Sequence, residues 1–187
     1  MKRIITVLSL IAGMLVPAFG ATVLVAGPAS ARCVPPGNDT TIFSFSKKVY
    51  SYQPTAVKSD WVWPKRGDMT ITYNQTKSYT NTASVTATVS AEAGVIFAKA
   101  STSLGVSVGR SWGQSKSWSY SAHVAKNAKH KYRLHLYHQA VSFSVMEKHW
   151  NFNRCNWDNA WKSWQPVKHA PLKNASRNVW RIDQQGV

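Results

Sequence analysis

The groups able to do covalent, acid–base or metal chemistry are few: two cysteines, six histidines and seven carboxylates among 187 residues. The histidines are His123, His130, His135, His138, His149 and His169, and they lack metal-ligand spacing. His135 and His138 fall on opposite faces of a strand. Serine is abundant, yet no nucleophile–histidine–acid set stands out. These residue types predict a protein that is not an enzyme and holds no metal or cofactor. The chemistry left is oxidation: Cys33 and Cys155 are an even pair without zinc spacing, and they predict one structural disulfide if the compartment is oxidising.

The N-terminus predicts that compartment. Lys2 and Arg3 precede a long apolar stretch, Ile4 to Val25, broken at Pro17, and Ala29-Ser30-Ala31 is a small-x-small cleavage signal. Residues 1–31 read as a signal peptide, leaving one secreted, β-rich domain over 32–187. Its charge is extreme. The whole chain has 23 Lys+Arg against 7 Asp+Glu; losing Lys2 and Arg3 leaves a formal charge of +14. Such a field attracts anionic membranes and wall polymers. Nucleic acid would be attracted too, but export makes it no natural partner.

The elements that must carry this charge are strands. Thr41 to Tyr52 alternates through Ile42, Phe43, Phe45, Val49 and Tyr50. Trp61-Val62-Trp63-Pro64 followed by Lys65-Arg66-Gly67-Asp68 reads as a strand end and a turn. From Met69 to Trp150 Ser, Thr, Val, Ala, Tyr and Trp alternate. The weak helical signal is Trp157, Trp161 and Trp164 before Pro166. An all-β fold follows: an elongated antiparallel sheet of long strands, with little helix.

Residues 84–108 predict an amphipathic hairpin. Val85, Ala87, Val89, Ala91 and Ala93 share one face; after Gly94 the phase reverses, and Ala98, Ala100, Leu104, Val106 and Val108 are apolar. Pairing residues whose numbers sum to 191 keeps both arms on one apolar face and sets Glu92 opposite Lys99. The loop is then Val95-Ile96-Phe97, three bulky apolar residues where polar ones are usual. Each arm has the length a tilted strand needs to cross a bilayer, with a Ser/Thr face for a wet lumen. A soluble sheet covered on one face would show the same alternation.

The run Ser84-Val85-Thr86-Ala87-Thr88-Val89-Ser90-Ala91-Glu92-Ala93-Gly94-Val95-Ile96-Phe97-Ala98-Lys99, with Gly109-Arg110-Ser111-Trp112-Gly113-Gln114-Ser115 and the long strand Lys131 to Val145, resembles the core module of aerolysin-like β-pore-forming toxins, nearest the epsilon-toxin/mosquitocidal-toxin branch. The likeness covers about 70–145. It implies a protein that forms a homo-oligomer on membranes and inserts Val95, Ile96 and Phe97 as the tip of a β-barrel hairpin. The chain departs from that pattern in leaving little length for a large receptor-binding domain.

Lys129, Lys131, Arg133 and His135 are the expected contact with an anionic surface, three of them on one strand face. Trp161 and Trp164, flanked by Lys162 and Lys168, suit an interface, while Trp157 beside Cys155 suits a core. Two functions fit: a secreted, membrane-active pore-former, or a monomeric secreted module binding anionic cell-wall polymer or glycan.

Overall fold

The computed structural model describes residues 33–187; the expected signal peptide lies outside the described residues. The chain runs through β1 (Thr41–Lys58), β2 (Met69–Thr82), the short β3 (Ser84–Val85), α1 (Ala87–Ala91), α2 (Ala93–Leu104) and β4 (Ser111–Val124). It continues through β5 (His130–Asn151), β6 (Asn156–Asn159), β7 (Gln165–Pro171) and β8 (Asn178–Gly186). The fold is all-β, built from antiparallel sheets, as the alternation predicts.

The 22-residue β5 is the spine, extending about 70 Å at strand rise. β1 pairs with it from Thr41↔His149 to Lys58↔His135. β8, β7 and β6 pair with successive stretches of β5, and β3 adds to β7. β2 and β4 form a separate two-stranded ribbon, fourteen residues in each arm.

Two cores hold these layers. The ribbon lays Ile71, Tyr73, Tyr79, Trp118 and Val124 on Leu134 and Leu136, the even-numbered rank of β5. The helices lay Val89, Ala93, Ile96, Phe97 and Ala100 on Val141, Phe143 and Val145, the odd-numbered rank, with Val167, Ala170 and Leu172 behind. Phe143 meets Phe45 and Phe97 edge to face.

Cys33 and Cys155 are bonded, their Cα atoms 5.3 Å apart across a sequence separation of 122. The bond ties the leader to the β5–β6 turn, where Trp150 meets Trp157 edge to face and its indole N–H donates to the Cys33 carbonyl. The helix expected at Trp157–Trp164 does not form. Trp157 sits in β6, and Trp161 packs against Phe43 beyond it, because Asn151–Asn156 turns the chain back on β5.

Candidate functional site

Residues 84–108 are the largest departure from expectation. The hairpin predicted there does not exist in this structure: Val85 ends the short β3, and Ala87–Ala91 and Ala93–Leu104 are helical. Three features explain it. Ala87, Ala91, Ala93, Ala98 and Ala100 are the best helix formers. Thr86 caps α1 by accepting from the Val89 N–H, and Gly105 closes α2 in the left-handed conformation, φ 66°, its N–H turned to the Ser101 and Thr102 carbonyls. Val89, Ala93, Ile96, Phe97 and Ala100 also stand at i, i+4, i+7, i+8 and i+11, one helical stripe, and all five are buried. The expected tip is therefore not a tip: Ile96 is fully enclosed and Phe97 nearly so, while Val95 is half exposed.

The same residues carry a second period, and the ribbon reveals its register. Every β2–β4 pair, from Met69↔Val124 to Thr82↔Ser111, sums to 193. Extended into the insert, that ladder pairs Val85 with Val108, Ala87 with Val106, Val89 with Leu104, Ala91 with Thr102, Ala93 with Ala100 and Val95 with Ala98. It differs from the 191 register by two residues along one arm, which preserves both faces. The other rank is polar throughout: Thr70, Thr72, Asn74, Thr76, Ser78, Thr80 and Thr82 on β2 run on into Ser84, Thr86, Thr88 and Ser90. Opposite them, Ser121, Ser119, Ser117, Ser115 and Ser111 run on into Ser107, Ser103 and Ser101. The insert's sequence thus keeps the ribbon's two-residue phase across the helix boundary, although Ser84–Val85 pair with β7 in this structure.

The ribbon's inward rank is incompletely satisfied. Tyr73 Oη, Asn81 Nδ2 and Trp112 Nε1 are buried without a partner among the protein's described polar groups. Asn81 and Trp112 face each other across the ladder where the ribbon meets the insert. Lys77 and Lys116, directly opposite, add like-charge repulsion. At the α1–α2 junction, burial and then the neighbouring Glu147 push the Glu92 carboxyl up, with His149 pulling the other way.

The basic cluster divides. Lys129 is exposed in the turn before β5, and Lys131 lies half-buried with its Nζ 5.7 Å from the Trp63 ring. Arg133 donates through Nε and Nη2 to Asp183 Oδ2, both at 3.0 Å, and its guanidinium lies 4.5 Å over Trp61. His135, expected at the surface, is buried instead, its Nδ1 2.7 Å from Asp183 Oδ2 and its Nε2 2.8 Å from the Thr55 carbonyl. It is an internal partner, because β8 brings Asp183 beside it. Trp164 is exposed.

Burial alone would raise Asp183. The Tyr137 hydroxyl, His135 and Arg133 outweigh it and hold the carboxyl below the usual range. A depressed folded value means the native state binds fewer protons than the unfolded chain. Asp183 therefore contributes stability above about pH 4, lost as pH falls through its lower folded value. Asp183→Asn is expected to cost roughly 2–3 kcal/mol at neutral pH. Urea titrations from pH 2 to 7 should show a shallower acid limb for the variant; an unchanged limb rejects the assignment.

Gly109-Arg110-Ser111-Trp112-Gly113 has the G-x-S-x-G spacing of a nucleophile elbow. Here Ser111 opens β4 opposite Thr82, and among the described residues no hydrogen bond joins it to a histidine. No family model, curated protein or solved structure matches this chain.

Proposed function

We propose that this is a secreted, membrane-active protein whose insert, residues 85–108, converts from helices to a β-hairpin and contributes to an oligomeric barrel pore. The continuation of the ribbon's two-residue phase through the sequence of the insert supports this reading. A segment whose only task was to cover the sheet would need the helical stripe alone, whereas this one also continues the ribbon's polar rank residue for residue. Conversion lengthens the existing ribbon by eleven residues per arm, Val85–Val95 and Ala98–Val108. That is enough to span hydrocarbon when tilted.

One hairpin leaves unpaired backbone edges, so insertion requires copies closed into a ring. Valine, alanine and leucine would face lipid, and serine and threonine the water-filled lumen. The disulfide supports export, since such bonds persist in oxidising compartments.

The test is dye release from vesicles containing phosphatidylglycerol by the oxidised chain 32–187, with infrared spectra of the bound protein. Release should coincide with loss of the helical band, since α1 and α2 are the α-helices among the described residues. Release with that band intact, or no release, overturns the reading.

A further inference from the structure

The odd-numbered rank of β5 bears the insert helices over Val141–Val145 and continues toward the start of the strand as a face that no described helix or strand covers. Cations and aromatic rings alternate there. Arg181 lies between Tyr52 and Tyr137, 4.5 and 5.2 Å from their centroids. Arg133 lies on Trp61, and the Trp63 ring stands between Lys131 at 5.7 Å and Lys65 at 4.8 Å. Asp183, the carboxylate that Arg133 meets here, is already engaged by Arg133, His135 and Tyr137. The face therefore presents net positive charge.

We infer that this cation–aromatic face docks the protein on the phosphate headgroups of an anionic phospholipid membrane. Guanidinium forks match phosphate oxygens, and Trp and Tyr rings have the apolar body and polar edge that settle at a membrane interface. Stacking holds the long cations in place before binding, so less side-chain freedom is lost on docking. A lipid surface is favoured over a soluble polymer because the same rank of β5 carries the insert, so docking would bring 85–108 to the bilayer. In that respect the inference rests on the proposed pore function, but binding and release can be read separately.

The experiment is flotation of the oxidised chain with phosphatidylcholine vesicles, with and without phosphatidylglycerol, beside dye release. The wild type should float only with the anionic vesicles. Lys131→Gln with Arg181→Gln, both outside the hydrogen bonds to Asp183, should weaken flotation about 30-fold, from the usual contribution of a basic residue near an anionic surface. Unchanged thermal melting would show the double variant folded. Equal flotation of variant and wild type overturns the inference, as does binding of wild type to phosphate-rich wall polymer with no flotation. If flotation stays charge-dependent but no dye escapes, the docking face stands and the pore reading falls.

Discussion

Ala91→Lys is expected to abolish dye release while leaving the resting protein intact. Ala91 is exposed at the end of α1, where a lysine costs little; surface changes usually stay within about 0.5 kcal/mol. In the 193 register the same position faces lipid near the middle of the arm. A lysine at the bilayer midplane costs about 2–4 kcal/mol, and every copy in a ring would bear it. Release should fall at least a hundredfold, with melting within about 2 °C of wild type. The matched control is Ser103→Lys, equally exposed in the helical form but on the lumen side of the hairpin, and it should still release dye. Equal behaviour of the two variants would remove the hairpin from the mechanism. Replacing Val95, Ile96 and Phe97 together would be a poorer probe, because Ile96 and Phe97 are core residues of the resting fold.

Cys33→Ser should produce the largest loss of stability. The bond closes a loop across 122 positions, and chain entropy assigns such a cross-link about 5 kcal/mol. For a domain of this size that corresponds to a melting temperature lower by roughly 10–20 °C. Trp150 and Trp157 sit at the bond, so their fluorescence should change as Cys33 is freed. A shift of only a few degrees would mean that β-pairing alone holds the leader and the β5–β6 turn.

What could be read from the sequence follows the range of the interactions. Alternation marked β1 and both ribbon strands, since half-buried strands record their environment every second residue. The cysteines could be paired because there are only two. The insert escaped for a different reason: its apolar residues satisfy periods of 2 and 3.6 together, and alternation counts only the first. Alanine permits both, being small enough for a sheet face and the strongest helix former. The surroundings choose, here through the pocket of Phe143, Val167 and Leu172. His135 was misplaced because its partner, Asp183, is 48 residues away on a strand whose pairing no local pattern announces. The cation–aromatic face is hidden likewise: Arg133 meets Trp61, and Arg181 meets Tyr52 and Tyr137, only once distant segments are assembled.

The separate ribbon has a consequence of its own. β2 and β4 have no third strand among the described residues, so each offers an outer edge of backbone donors and acceptors. A body with two such edges is bivalent: one copy's β2 can template the next copy's β4. Head-to-tail growth of this kind ends in a ring when the rotation between neighbours closes and runs on as a filament when it does not. The paired lysines, Lys77 and Lys116, place like charge midway along both strands, which would oppose such joining in free solution.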